Sequence, residues 1–530
     1  MQSKRKEITV IAVVLILQTL IYVFCCGLKS YIHMDEAYSL GLASYDKTEI
    51  KNNEDFYNTW HTGEYYDDYL SLQEDEFGKY SQVYENQKND VHPPFYYLLL
   101  RFAMGFAPGS YSVWPAAVIN IICYGFVTVL NYVIFQRALK DETRMKEKAI
   151  LLSFLSSVTM ASITNVLYIR MYAVSALNVS LITYLHIKLR ECNGNKAKWL
   201  ILISFSAVVG FLTHYYYLFY LFALFLYRCK KYIKAKDYKS LKWYILSMVV
   251  AGVVSLAIFP YAIEHMFFGY QGEGFLSRLF NPLVLVVNLI VYLWVVNEFV
   301  FNLALMFLAI AVAVLCYYRK NNRKDVKKII ETDEEKASML KLLLYPTLFY
   351  FLFVSAASPY MELRYIVAIG ANIFFLVFYY FCRLLKSLYG EKTAEKITCA
   401  VLAVVMLFPL ITKQEPQSMY YAKRADVIET IEEKHDVPAI YVYYSANDRF
   451  LDDILLFAKL DKSYIAKDGA NTEEHFAEIL KDVDLSKGLI VFINNGQDDF
   501  AILKNIKIST GFQTVQRVEK LNSCDVFYLN

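Results

Sequence analysis

The sequence has few charged residues, no internal repeat, no low-complexity tract and no arrangement of cysteines typical of a disulfide framework. Only 20% of its 530 residues are Asp, Glu, Lys or Arg, and most of its nine cysteines lie in or beside apolar blocks. What it has instead is hydrophobic residues, 57% of the total, and they come in long blocks. This composition indicates an integral membrane protein rather than a soluble one.

The apolar blocks predict a polytopic α-helical protein of the cell membrane. The first block, Glu7–Leu28, follows the basic stretch MQSKRK and has no small-residue cleavage site, so we expect a retained helix. About eleven spans are predicted by length and charge, at 7–28, 114–135, 149–167, 172–189, 199–213, 215–227, 243–263, 301–318, 340–357, 365–385 and 397–411. Two more runs, Phe95–Ala107 and Leu283–Phe299, are ambiguous because each contains charged residues.

The basic loops favour one topology over the other. Lys and Arg concentrate in short cytoplasmic loops, and here they cluster at 1–6, 136–148, 188–198, 228–242, 319–328 and 383–392. If both ambiguous runs rest at the outer interface, all these segments lie inside, and the N-terminus is cytoplasmic. If both runs span, giving about thirteen spans, the three basic loops between 136 and 242 fall outside. The second topology remains the alternative.

Two outer regions follow from the first topology. The loop 30–92 is acidic, with fourteen Asp and Glu against four Lys over residues 31–91. The tail 413–530 has apolar blocks of strand length at 439–445, 489–495 and 524–530, with amphipathic stretches at 424–435 and 473–483. This alternation predicts a small soluble α/β domain. The expected domains are therefore a membrane domain, 1–412, and an extracytoplasmic domain, 413–530.

The polar residues that interrupt apolar sequence fall on the predicted outer side. They are Asp35, Glu36, His92, Arg170, His214, Glu362 and Arg364. Each has a structural interpretation as well: solvated carboxylates, a helix start at His-Pro-Pro, arginines that snorkel to headgroups, a packing histidine. Their common placement favours function, because ionisable residues at membrane depth usually mark functional sites.

The motifs resemble those of a known group of membrane enzymes. A first span followed by Asp-Glu, an outer loop that ends in His-Pro-Pro, and R-x-Y at a hairpin look like GT-C fold glycosyltransferases. More narrowly, they resemble the family 39-type group of protein O-mannosyltransferases and lipid A aminoarabinose transferases. The matching residues are Asp35, Glu36, His92, Pro93, Pro94, Arg170, Tyr172, Arg364 and Tyr365. The resemblance covers roughly 1–412, and the tail matches no family.

The resemblance implies transfer of a sugar from a polyprenyl phosphate to an acceptor hydroxyl on the outer face. A hydroxyl needs a base within hydrogen-bond reach, and Asp35 is the candidate. Glu36 would orient the acceptor or hold the geometry of Asp35. Arg170 and Arg364 are candidate phosphate ligands, with His92 and His214 as weaker ones, and Tyr172 and Tyr365 belong to the substrate-binding set. A single displacement of this kind inverts the anomeric centre.

The expected partners are a polyprenyl-phosphate sugar, membrane lipid and a glycan, lipid or protein acceptor, with no nucleic acid. No cofactor is predicted to be required, although His33, Asp35 and His92 are borderline ligands for a divalent metal. The one D-x-D motif, at 482–484, is interpreted as surface. Two other classes stay open: a secondary transporter, which more often shows repeated halves and broken helices, and a non-catalytic envelope protein whose exterior domain binds a ligand.

Overall fold

A computed structural model of the chain describes residues 2–44, 50, 54–140, 142–268, 273–305, 334–416, 425–521 and 523–530. The described part is mostly helical and contains a six-stranded sheet near the C-terminus. The predicted class, a multi-pass α-helical membrane protein with a small C-terminal α/β domain, is confirmed. Most of the predicted span 301–318, and the basic segment 319–328, lie outside the described residues.

The helices before the tail vary widely in length. Their bounds are Gln2–Gly27, Met34–Ser44, Gly63–Leu70, Tyr80–Lys88, Phe95–Met104, Trp114–Ala138, Met145–Ser157, Met160–Leu167, Tyr172–Glu191, Ala197–Thr213, Tyr217–Lys234, Tyr238–Ile258, Ala262–Phe267, Glu273–Leu279, Pro282–Val295, Glu334–Ala357, Gly370–Tyr389 and Glu391–Thr412. Within the described residues, seven helical segments are long and apolar enough to cross a membrane, or eight if one bent pair counts as a span. The predicted number of eleven is therefore not confirmed.

The bent pair falls on the predicted span 149–167. Met145–Ser157 and Met160–Leu167 meet at an angle of 54°. Between them, Thr159 starts a new helix, because its side chain accepts a hydrogen bond from the amide of Ser162 at 3.3 Å. Hydropathy alone does not reveal a helix start inside an apolar run.

The two ambiguous runs differ in length. Phe95–Met104 is a helix of 10 residues, too short to cross a bilayer core. The other run forms the helix Pro282–Val295 and continues as a π-helical turn, Val296–Val300, which is long enough to span. However, Tyr292 donates to the carbonyl of Tyr360 at 3.0 Å, and the carbonyl of Glu298 accepts from Gln414 at 2.8 Å.

Both of those partners follow the C-terminal ends of long helices, Glu334–Ala357 and Glu391–Thr412. Because the helix between them, Gly370–Tyr389, returns the chain across the membrane part, both ends lie at the same face. These contacts place Tyr292 and Glu298 beside that face, although the run is long and apolar enough to span.

Four of the predicted basic segments contact one another at the opposite end of the helices. Arg137 lies 3.1 Å from Glu191, and Lys196 lies 3.2 Å from Asp237. Lys386 pairs with Glu142. We call this end the basic face and the opposite end, which carries the C-terminal sheet, the site face.

The C-terminal sheet combines two parts of the chain. Its strands are β1 (Trp60–His61), β2 (Ala439–Val442), β3 (Ser463–Ala466), β4 (Leu489–Asn494), β5 (Val515–Lys520) and β6 (Cys524–Leu529), in the order β1-β3-β2-β4-β6-β5. The described helices of the tail are Ala425–Glu433, Ile454–Phe457, Glu473–Leu480 and Asp499–Thr510. Strands β2, β4 and β6 were predicted; β1, β3 and β5 were not.

Strands β2, β3, β4 and most of β6 are buried, as the strands of parallel sheets usually are, whereas β5 is mostly exposed. Strand β2 pairs in parallel with β3 and β4, and the remaining pairs are antiparallel. Ile440 and Val442 belong to a core of the tail's own, whereas Tyr441 and Phe492 belong to the core that continues into the membrane part. The tail therefore packs directly onto the site face, and loop 30–92 contributes its edge strand β1.

Candidate functional site

The helix Met34–Ser44 presents the predicted base and is held at both ends. At its start, the ring Nδ1 of His33 accepts the backbone N–H of Asp35 at 3.1 Å. At its end, the guanidinium of Arg101, 1% exposed, donates to the carbonyl of Ala43 at 2.7 Å. Capping groups at the N-terminus and a cation at the C-terminus both stabilise a helix. Asp35 therefore sits on a fixed support.

His33 acts as a cap because it is neutral. Burial lowers the pKa of its imidazole to about 4, with the Arg364 guanidinium adding to the effect and the Asp452 carboxylate opposing it. A neutral ring keeps an unprotonated nitrogen as an acceptor, and a doubly protonated ring would not. The cap therefore depends on the low pKa.

Glu36 is fully buried, and its carboxylate is occupied on both oxygens. It pairs with the ammonium of Lys29, which is itself 1% exposed. It also accepts the backbone N–H of His33 at 2.8 Å and that of Ile169 at 2.8 Å. The last of these bonds ties the helix Met34–Ser44 to the hairpin that carries Arg170.

Asp35 is partly exposed and engaged on one side only. Its Oδ2 accepts from the guanidinium of Arg364 and from the hydroxyl of Tyr168, the latter at 3.0 Å. Its Oδ1 has no hydrogen-bond partner among the residues that the structure describes. One carboxylate oxygen thus remains free to accept a proton.

Arg170 lies behind Asp35 and is only 5% exposed. Its Nη1 donates to the backbone carbonyl of Asp35 at 3.2 Å, the hydroxyl of Ser39 at 3.2 Å and that of Tyr97 at 3.3 Å. Its Nη2 lies 3.4 Å from Nε2 of His92. The guanidinium therefore links the base, the helix below it and the His-Pro-Pro loop.

His92 is paired with an acid that the sequence interpretation missed. Its Nδ1 lies 2.9 Å from the carboxylate of Asp90. Burial raises the pKa of Asp90, but His92 and Arg170 outweigh burial and hold it below the usual range. Burial also lowers the pKa of His92. Asp90, His92 and Arg170 thus form one chain of polar contacts, and the available signal was an Asp two positions before His-Pro-Pro.

His214 packs among aromatic rings close to this chain. Its ring centroid lies 5.4 Å from Tyr172, 5.0 Å from Tyr216 and 6.5 Å from His92. Burial, together with the neighbouring His92 and Arg170, lowers the pKa of His214 to about 3. The ring is neutral at ordinary pH and adds no positive charge.

Arg364 faces Asp35 from the opposite side. Its Nε lies 3.0 Å from a carboxylate oxygen of Glu362, and its guanidinium lies 5.2 Å from the ring centroid of Tyr365. Burial raises the pKa of Glu362, against the effect of Arg449 and Arg170. The hydrogen bonds of Arg364 to Asp35 and Tyr168 both leave from Nη1, and a further side-chain hydrogen bond links Arg364 to Tyr365.

An apolar groove approaches the site through the membrane part. It has a volume of about 780 Å³ and lies among the helices Ala197–Thr213, Tyr217–Lys234, Tyr238–Ile258 and Glu334–Ala357. Phe219 and Phe353, whose ring centroids are 5.4 Å apart, belong to its wall. From Phe219 an aromatic contact leads to Tyr216 at 6.0 Å, and from Tyr216 to Tyr365 at 5.6 Å. The groove and the charged cluster are therefore neighbours.

The eight predicted site residues, Asp35, Glu36, His92, Arg170, Tyr172, His214, Arg364 and Tyr365, lie together at the site face. The structure adds Lys29, Asp90 and Tyr168, which sequence reasoning missed. It also changes the setting of two predicted residues, because Glu36 and Arg170 are buried behind Asp35 rather than facing an open space.

The borderline metal ligands each contact another protein group. Of the borderline ligands, His33 uses Nδ1 for a backbone amide, Asp35 faces a guanidinium, and His92 lies between Asp90 and Arg170. No group of three or more His, Cys, Asp or Glu residues in the described ranges could hold a metal ion.

The chain resembles membrane glycosyltransferases of the GT-C type, as its motifs predicted. It is similar to ArnT from Cupriavidus metallidurans bound to undecaprenyl phosphate, at 10% identity and a TM-score of 0.49, over 98% of this chain and 97% of that one. It is also similar to the Archaeoglobus fulgidus oligosaccharyltransferase with zinc and sulfate, at 13% identity and a TM-score of 0.44, over 91% and 68%.

A second structure of the archaeal enzyme, AglB with an inhibitory peptide and a dolichol-phosphate, shows 10% identity and a TM-score of 0.43, over 91% and 69%. No family model and no curated protein matches the chain. Likeness at these identities and TM-scores does not assign substrates, so the function is argued from the site.

Proposed function

We propose that this chain is a membrane glycosyltransferase that moves a sugar from a polyprenyl phosphate to an acceptor hydroxyl at the outer face. One observation carries the proposal: a half-open carboxylate and the arginine that pairs with it meet beside an apolar groove. A lipid-linked anionic donor and a neutral nucleophile need these three features at one place.

Asp35 is the proposed general base. Its free Oδ1 accepts the proton of the acceptor hydroxyl as the oxygen attacks the anomeric carbon. Tyr168 donates to Oδ2, and Arg170 donates to the backbone carbonyl of Asp35. These two contacts hold the carboxylate in one orientation. Fixed orientation of a base lowers the barrier without cost at the moment of reaction.

Arg364 is the proposed phosphate ligand. As the bond between the sugar and the phosphate breaks, the phosphate oxygens gain negative charge, which a planar guanidinium stabilises well. Nη1 can stay on Asp35 while Nη2 donates to the phosphate. Direct contact by Arg170 would require it to leave Asp35, Ser39 and Tyr97, so we assign it to holding the base.

The apolar groove is the proposed site of the isoprenoid tail. Hydrocarbon gains free energy on leaving water and finds close contacts in an aromatic wall. Because Tyr216 and Tyr365 connect that wall to Arg364, a tail in the groove places its phosphate next to the guanidinium. Tyr172, His92 and His214 then border the sugar, and the imidazole of His214 is neutral.

Glu36 is proposed to hold the geometry of Asp35. Its oxygens are already filled by Lys29 and two backbone amides. We also propose that the acceptor is an envelope glycan, lipid or protein and that the N-terminus is cytoplasmic.

The test is turnover of labelled undecaprenyl-phosphate hexoses and pentoses by the wild-type chain and by Asp35→Asn in nanodiscs with envelope extract. Loss of a general base lowers turnover by about 10²- to 10⁴-fold. The exposed Asp461→Asn is the matched control and keeps full turnover. Equal turnover by Asp35→Asn removes this residue as the base, and no turnover of any donor by wild type favours a transporter or a binding protein.

A further inference from the structure

The edge formed by the carboxyl ends of β2 and β4 faces the helix of Asp35, through the loop that follows β2. In open α/β sheets, ligands bind outside the carboxyl ends of the parallel strands where the strand order reverses. Here β3 and β4 flank β2, so that point lies between the carboxyl ends of β2 and β4.

Hydrogen bonds close this crevice on the side of the tail. Asn447 donates to the carbonyl of Asn495 at 3.0 Å, and Gln497 donates to the carbonyl of Val442 at 2.8 Å. The loop after β2 therefore has a fixed shape, and it continues into Arg449 and Asp452.

Asp452 reaches from this loop to the helix of Asp35. Its Oδ1 accepts the backbone N–H of Met34 at 2.7 Å and the hydroxyl of Tyr31 at 2.9 Å. Its Oδ2 accepts from Nε of Arg449 at 2.8 Å. The side chain of Asp452 is 0% exposed, whereas that of Arg449 is 37% exposed.

This contact supplies what the helix start needs. The first N–H groups of a helix have no partner within the helix, and a negative charge there interacts favourably with the helix dipole. The His33 ring accepts the N–H of Asp35, and the Glu36 carboxylate accepts the N–H of His33. The N–H of Met34, which lies between these two, is accepted by Asp452. The carboxylate comes from the tail, 418 positions further along the chain.

The charges of Asp452 and its partner also affect ionisable groups of the site. Asp452 opposes the burial that lowers the pKa of His33, and its partner Arg449 acts on Glu362, beside Arg364. The contact therefore joins the two halves of the proposed site, the helix of Asp35 and the loop of Arg364.

We propose that Asp452 is a positioning residue for Asp35, so that the C-terminal domain is a working part of the transferase site. The proposal rests on the function proposed above. A base displaced by as little as 1 Å loses about 100-fold in rate, and without Asp452 the first turn that carries Asp35 loses an anchor.

The test uses full-length Asp452→Asn in nanodiscs, with undecaprenyl-phosphate sugars as the probe. We expect kcat to fall by about 10- to 100-fold with KM for the donor unchanged, and hydrogen exchange over residues 31–40 to accelerate. Asp461→Asn in the same domain, whose carboxylate is exposed and contacts His435, should change neither.

Tyr31→Phe is a milder variant for the case in which Asp452→Asn does not fold. It removes one hydrogen bond to the same carboxylate, and we expect kcat to fall by about 2- to 10-fold. Unchanged kcat, or a change confined to KM, overturns the positioning role. If wild type turns over no donor, the proposed function fails, and unchanged exchange over 31–40 then overturns the docking of Asp452 separately.

Discussion

Ion pairs occur at both ends of the membrane part, but they differ in how exposed they are. At the basic face, Lys148 and Glu395 are 23% and 26% exposed, and Arg137 and Glu191 are 34% and 39% exposed. At the site face, Lys29 and Glu36 are 1% and 0% exposed. Pairs within reach of water contribute little net free energy, whereas buried charges are costly when one partner is lost. Among these three pairs, the one at the site face is the fully buried one.

The largest effect on stability is expected from Glu36→Gln. Removing the charge leaves the Lys29 ammonium buried without its counter-ion, which costs about 3–5 kcal/mol. Glu395→Gln, the same change in the pair at the basic face, should cost at most about 1 kcal/mol. Thermal unfolding of both variants in nanodiscs measures the difference, and equal losses would contradict the comparison.

A large effect on turnover is expected from Arg364→Lys. The charge remains, but the planar fork that serves Asp35 and the phosphate together is lost, and removing one such donor costs about 10²- to 10³-fold in kcat. Arg383→Lys at the basic face is the control. Steady-state kinetics with an undecaprenyl-phosphate sugar would contradict the assignment if Arg364→Lys kept its kcat.

The groove offers a test that leaves the charged cluster untouched. Gly252 lines the groove, and a Cβ added there meets no atom within 4 Å. We expect Gly252→Phe to fill the groove and to weaken binding of long-chain donors by about tenfold, the cost of losing a few buried methylenes. Gly252→Ala should bind normally.

A short-chain donor distinguishes this effect from general damage. A farnesyl-phosphate sugar occupies less of the groove, so Gly252→Phe should leave its KM nearly unchanged. Equal losses for long and short donors would place the tail elsewhere.

A smaller effect is expected in the pH dependence of the free energy of unfolding. The pKa of His33 is about 4 when folded, below its ordinary value, so the unfolded chain binds a proton first as the pH falls. The free energy of unfolding therefore decreases from about pH 6.5 towards pH 4, by up to about 1.4 kcal/mol per pH unit for this group. His33→Asn keeps a good cap without the titration. Its melting temperature should depend less on pH, and an unchanged slope would contradict the neutral cap.

The sequence predicted the secondary-structure elements better than the contacts between them. Apolar length predicted most long helices, and apolar blocks of strand length predicted β2, β4 and β6, because both signals are local. Strand β1 has only two residues, Trp60 and His61, and it forms by pairing with β3. No local sequence pattern therefore predicts it.

The candidate site was likewise predicted in its residues but not in all of its contacts. Loop charges placed Asp35, Arg170 and Arg364 at one face, and the structure brings them into contact. The burial of Glu36 against Lys29, and the reach of Asp452 to Met34, depend on tertiary packing that spacing along the chain does not contain.

The central claim is that Asp35 directs a single displacement at the anomeric carbon, with its free oxygen taking the proton of the acceptor. NMR of the anomeric configuration in donor and product, from one turnover with a defined undecaprenyl-phosphate sugar, tests this most directly. The account predicts an inverted product. A retained configuration would mean that the sugar passes through a second displacement, and Asp35 would not be acting as the base proposed.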